Sequence, residues 1–131
     1  MTGLDTNILI RYLVNDDVLQ SRKAADHIEH RLTESDPGFI SAIVMVETVW
    51  VLESHYGFTD SEIAAAIQRI LQIDAFVVEH RLEIFVAMVA LKQRRGSFAD
   101  ALIGAVGKRA GCSRTFTFDR KASRLPSFEL L

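Results

Sequence analysis

The sequence predicts a single α/β domain over residues 1–131, a three-layer α/β/α sandwich with a central, mostly parallel sheet of four to five strands. Three observations predict it. Short β-branched and aromatic runs (Phe39-Ile40, Phe76-Val77-Val78, Thr115-Phe116-Thr117-Phe118) alternate with longer segments of helical period, the order that yields parallel strands covered on both faces. Turn residues punctuate them at Asp36-Pro37-Gly38, Gly57, Gly96 and Gly111. The chain has 131 residues, 49% apolar and 24% charged, enough for one core, and it shows no repeat, linker or low-complexity stretch.

The first short stretch, Leu4-Asp5, reads as the end of a strand, with a helix from Thr6 to about Val14. Asn15-Asp16-Asp17 breaks the pattern and offers an N-cap to a helix from about Val18 to Leu32, whose face is Leu19, Ala24, Ala25, Ile28 and Leu32. Capping explains Asp16-Asp17 better than metal ligation does. After the turn at Asp36-Pro37-Gly38 comes the strand Phe39-Ile40, and Ser41 caps the next helix. That helix, Ala42 to Leu52, is apolar nearly all round, which predicts burial on most sides; Glu47 is its lone charge. Gly57 suits a C′ position, and Thr59 and Glu62 have capping-box spacing ahead of Ile63, Ala66, Ile67, Ile70 and Leu71. Phe76-Val77-Val78 is the third strand. A helix from about His80 to Gln93 presents Ile84, Phe85, Met88 and Leu91 and is expected to stop at Gly96. Ser97 opens a helix through Phe98-Ala99-Asp100-Ala101-Leu102-Ile103 that ends near Gly111. The fourth strand runs into Asp119, and Phe128-Glu129-Leu130-Leu131 suits a fifth at the sheet edge.

No apolar run approaches the ~20 residues that span a bilayer, and no basic n-region precedes an apolar h-region. The expectation is a soluble, cytoplasmic protein without membrane contact. Cys112 is the one cysteine, so an internal disulfide and a cysteine-rich zinc site are excluded. His27 and His30, one turn apart in a polar stretch, read as a solvated face. Net charge is −2, but it is unevenly placed. Eleven acids face three arginines between Asp26 and Glu83, whereas nine bases surround only Asp100 and Asp119 between Lys92 and Arg124. Such a segment suits a polyanion held beside a cation.

Four acids therefore stand out: Asp5 and Asp119 at strand ends, Glu47 and Asp100 in apolar helices. None has a base at i±3 or i±4. A carboxylate buried without a partner is costly, so the four are expected to be paired, capping or metal-bound. Asp5 and Asp119 also fit as caps, Asp100 as the end of a capping box from Ser97, and Glu47 as the partner of a distant arginine. Clustered carboxylates need a cation, and oxygen ligands alone select Mg²⁺ or Mn²⁺. Such a metal activates water for phosphodiester hydrolysis with no catalytic His, Ser or Cys. There is no nucleophile elbow, Walker A loop or Gly-x-Gly-x-x-Gly fingerprint.

Leu4-Asp5-Thr6-Asn7, the helical Glu47, Phe98-Ala99-Asp100-Ala101-Leu102-Ile103 and Thr115-Phe116-Thr117-Phe118-Asp119, in this order, resemble the PIN-domain nucleases and most closely the VapC toxins of toxin–antitoxin pairs. The resemblance implies a Mg²⁺- or Mn²⁺-dependent endoribonuclease. It implies Asp5, Asp100 and Asp119 as metal ligands, and Glu47 as a catalytic acid binding metal directly or through water. Thr6, Asn7 and Thr117 would hold the carboxylates or waters in place. It further implies a homodimer and a small cognate antitoxin. The basic segment makes Arg94, Arg95, Arg120 and Lys121 the candidate RNA-binding residues. Two other readings stay open: a catalytically silent PIN-like RNA- or protein-binding module, and another carboxylate–metal phosphohydrolase. A haloacid-dehalogenase-like site wants a second Asp two residues after the first, where this chain has Asn7. A phosphoreceiver wants paired acids directly after the first strand.

Overall fold

The computed structural model describes residues 1–131. In chain order it contains β1 (Thr2–Gly3), α1 (Thr6–Leu13), α2 (Val18–Asp26), β2 (Gly38–Ile40), α3 (Ala42–Ser54), α4 (Asp60–Leu71), β3 (Phe76–Val78), α5 (Arg81–Lys92), α6 (Phe98–Arg109), β4 (Thr115–Thr117) and β5 (Phe128–Leu130). All strand pairings are parallel, and the mixed architecture is that of the expected three-layer α/β/α domain. The five strands are hydrogen-bonded in two pieces, β1-β2-β3 and β4-β5. Each strand is two or three residues long.

Local chemistry explains most boundaries. Asp17 Oδ1 accepts from the Gln20 N–H at 3.0 Å and starts α2, as a cap should. The predicted single helix to Leu32 is instead α-helical only to Asp26, then widens into one π turn over His27–Arg31. Ser41 Oγ accepts from Val44 N–H at 3.1 Å and opens α3. Thr59 and Glu62 form the complete capping box of α4, with bonds of 3.2 and 3.0 Å. Gly57 (φ 64) and Gly111 (φ 103) take the left-handed conformation that ends α3 and α6, where glycine bears no Cβ penalty.

The end of α5 differs from expectation. Arg94, not Gly96, is left-handed there, at φ 56. The N–H groups of Arg94 and Arg95 return to the carbonyls of Leu91 and Ala90 at 3.0 and 2.9 Å, a Schellman closure with arginine at the left-handed place. Gly96 is small for another reason: a Cβ there would lie 2.9 Å from the Leu125 methyls. Close approach also explains Gly38, whose Cβ would meet methyls of Leu4 and Leu32 at 2.8 Å, and Gly104, whose Cβ would meet the Phe128 ring at 2.6 Å.

One core of 25 side chains runs through the molecule, centred on fully buried Leu9, Ile40, Met45, Leu52, Ile63, Ile67, Ile70 and Ile84. The α3 helix departs from its predicted burial. Met45, Thr48, Val49 and Leu52 face the core, but Ile43, Glu47 and Trp50 are exposed on the opposite side. Composition could not separate them, because both faces of α3 are apolar. No helix is long and apolar enough to cross a membrane.

Candidate functional site

The site grows from the ends of strands. Two residues after β1, Asp5 caps α1: its Oδ1 accepts from Thr6 N–H at 2.8 Å. A carboxylate here is favoured by the positive end of the helix. Buried Thr6 turns its hydroxyl the other way and donates to Glu47 Oε1, a carboxylate on α3. That single bond links residues 41 positions apart and ties the start of α1 to the middle of α3. The α3 helix packs against α1 and also touches α6, whose first turn carries Asp100.

Asp119 lies two residues beyond β4. Thr117 Oγ1 accepts from the Asp119 N–H at 2.9 Å, and Asp119 Oδ1 in turn accepts from Lys121 and Ala122 N–H at 2.8 and 3.2 Å. The capping roles foreseen for Asp5 and Asp119 are thus real, yet each uses only Oδ1 and leaves the second oxygen available. Asp100 behaves otherwise. Ser97 Oγ accepts from its N–H at 3.1 Å, but the return bond of a capping box is absent and the Asp100 carboxylate has no partner.

The burial expected of the helical acids Glu47 and Asp100 does not hold. Asp5, Glu47 and Asp119 are exposed and Asp100 is half-buried, so desolvation is not what sets these four apart. Their placement does: each sits at a strand end, on α3 after β2, or in the first turn of a helix. The five ion pairs of the molecule also leave all four out. Arginine does not claim Glu47. The structure brings Asp5, Thr6 and Glu47 together, while no three His, Cys, Asp or Glu side chains form a ready cage. Carboxylates repel one another unless a cation lies among them. An all-oxygen donor set with free carboxylate oxygens and no competing ammonium or guanidinium fits a hard divalent ion.

Asn7 is exposed and its side chain has no hydrogen bond within the protein. Arg94, Arg95, Arg120 and Lys121 are all exposed and free of ion pairs. Two acids escaped the sequence reading. Glu79, directly after β3, accepts from the Ala42 N–H at 2.9 Å and so helps fix the start of α3. Its signal was its place, an acid closing Phe76-Val77-Val78. Glu83 is the acid that is truly buried, and it pairs with Arg109 at 3.2 Å between the start of α5 and the end of α6. Its partner is 26 residues away, beyond any local pattern.

A family model described as the PIN domain matches residues 4–127. The chain belongs to the PIN-domain family. Among curated proteins, this PIN domain is similar to a VapC ribonuclease of Aquifex aeolicus (strain VF5), at 26% identity over 125 residues, covering 95% of this chain and 92% of that protein. No solved structure matches it. The family match begins at Leu4 and so takes in every acid of the candidate site.

Proposed function

We propose that this PIN domain is a divalent-metal-dependent endoribonuclease, the toxin of a toxin–antitoxin pair. The observation that carries the reading is the set of four carboxylates on strand ends and early helical turns, none claimed by a cation of the protein and two tied together through Thr6. The relative named VapC ribonuclease supports the activity.

Asp5, Asp100 and Asp119 would hold Mg²⁺ or Mn²⁺, with Glu47 beside them. When bound, such an ion lowers the pKa of its water and stabilises the leaving oxygen of a phosphodiester. The chain's own groups do the rest. Thr6 orients Glu47 by donating to one of its oxygens, which leaves the other to accept a proton from attacking water. Thr117 and the Lys121 and Ala122 amides fix Asp119. Arg94, Arg95, Arg120 and Lys121 bind phosphates around the scissile bond, positioning RNA without reading its sequence. A silent binding module finds less support, because no acid of the set is lost and the Asp100 carboxylate has no partner within the protein. The partners belonging to this reading are RNA, a small antitoxin and a second copy of the chain, and its setting is the cytoplasm. The exposed apolar side chains Leu82, Phe85 and Val86 of α5 suit a protein partner.

The test is cleavage by purified protein in Mg²⁺ or Mn²⁺, abolished by EDTA and by Asp5→Asn or Asp100→Asn. The products should carry 5′-phosphate and 3′-hydroxyl ends. A 2′,3′-cyclic phosphate would mean attack by the RNA's own 2′-hydroxyl and would overturn the mechanism.

A further inference from the structure

Large apolar side chains stand in water beside the acids. Ile43 is 80% exposed, Trp50 58% and Phe118 81%. Ile43 and Trp50 are one helical turn to either side of Glu47, and with Ala42 and Val46 they line a shallow concavity of about 500 Å³ that includes Glu47 itself. The Trp50 ring meets His55 edge-on, with centroids 5.5 Å apart and planes at 89°. Phe118 immediately precedes Asp119. Beside it, the Phe116 ring is already covered by the Arg114 guanidinium at 4.9 Å, and Arg120 and Lys121 follow in an exposed row.

We propose that Trp50 and Phe118 are stacking platforms for unpaired nucleobases next to the phosphodiester that the carboxylates address. The inference rests on the ribonuclease reading and deepens it. Every base has a π face, so an exposed aromatic ring takes any unpaired base, whereas in a duplex those faces are hidden. Two exposed rings, Phe116 and Phe118, followed by the free cations Arg120 and Lys121, complement a strand that is both polyanionic and aromatic. A second copy of the chain is a poorer occupant of the α3 face. A two-fold contact through Ile43 and Trp50 would enclose Glu47 of both copies in one patch, and burying a carboxylate without a cation is costly.

Trp50 is the one tryptophan of the chain, so its emission reports on this side chain alone. With the Asp100→Asn protein in Ca²⁺, where cleavage is blocked, a short unpaired RNA should quench the emission saturably. The same sequence as a duplex, and an abasic ribose-phosphate strand, should not. Trp50→Leu and Phe118→Leu should each weaken binding of the unpaired RNA by roughly 5- to 150-fold, the stacking of one base, while Trp50→Phe keeps most of it. Melting temperatures should stay at the parent value, since both rings are exposed. Unchanged emission with parent-like affinity in Trp50→Leu overturns the proposal. So does a parent that sediments as a dimer beside a monomeric Trp50→Leu, because the α3 face would then belong to a second copy. If the unaltered protein cuts RNA and both leucine variants cut with its kcat/KM, the platforms fall while the ribonuclease reading stands. If the unaltered protein cuts no RNA in Mn²⁺, the ribonuclease reading falls, and the stacking inference with it.

Discussion

At the scale of single residues, Thr6 serves two acids at once, one through its backbone and one through its hydroxyl. Its backbone N–H is held by Asp5 and its side chain holds Glu47. Thr6→Val should therefore slow RNA cleavage by about 10- to 100-fold, as losses behind a ligand do, while lowering stability by only about 1 kcal/mol; Thr6→Ser should recover most of the rate. Single-turnover cleavage read beside thermal melting separates the two effects. A second residue invites the opposite outcome. The Thr48 hydroxyl is buried with no hydrogen-bond partner, so replacing it by a methyl removes a desolvated polar group without changing shape. Thr48→Val should be neutral or stabilising by about 1 kcal/mol, measured by urea unfolding. Thr6 was legible in the sequence as a helix start beside an acid. Its bond to Glu47 was not, because nothing local signals a partner 41 residues away.

Among the elements, caps were the most legible feature, since a cap is a contract between residues three apart. Ser41, Thr59 and Ser97 all bond where their spacing says. Burial was least legible where a helix is apolar all round, as in α3, or where the partner is remote, as for Glu83. The α5–α6 pair illustrates both. Glu83 and Arg109 join the start of one helix to the end of the other, and Glu83→Gln should cost about 1–3 kcal/mol because a buried side chain loses its charged partner. At the other end of α5, left-handed Arg94 stores backbone strain of about 1–2 kcal/mol. Arg94→Gly should raise the melting temperature and, if Arg94 contacts a phosphate, flatten the salt dependence of RNA binding by about one contact, a slope change of ~0.7 for single strands. Stability and affinity would move in opposite directions in one variant.

For the whole molecule, acid sensitivity follows from two exposed carboxylates. Asp16 is held below the usual carboxylate range, chiefly by the Tyr56 hydroxyl donating to it at 2.7 Å and also by Arg11. Glu62 is lowered by the Thr59 backbone and side chain. A lowered native pKa means the native state binds these protons less readily than the unfolded chain. Their stabilisation is complete above the unfolded value, about 4, and is lost as pH falls through the native values. Melting temperatures of Asp16→Asn and Glu62→Gln should fall less steeply than the parent's below about pH 4. The order of elements and the parallel strands were readable because periodicity alternates cleanly. The division of the sheet into two hydrogen-bonded pieces was not, because it depends on strand lengths of two or three residues, finer than any pattern resolves.

That division has a consequence for how the molecule comes apart. Asp5 and Glu47 belong to the larger piece, whereas Asp119 sits on the smaller one, which clasps α6 through the fit of Phe128 over Gly104. A two-strand flap of three residues each, partly exposed on both strands, can lift by local opening at far lower cost than global unfolding. Hydrogen exchange should then find the β4 and β5 amides released well before those of β2 and α4. Gly104→Ala, by forcing Phe128 outward, should hasten exchange there and leave the α4 amides unmoved. A protein built this way would shed one acid of its set, and with it its chemistry, while most of its core remained intact. Fluctuation of a small hinged edge, rather than loss of the fold, would then be its first mode of inactivation.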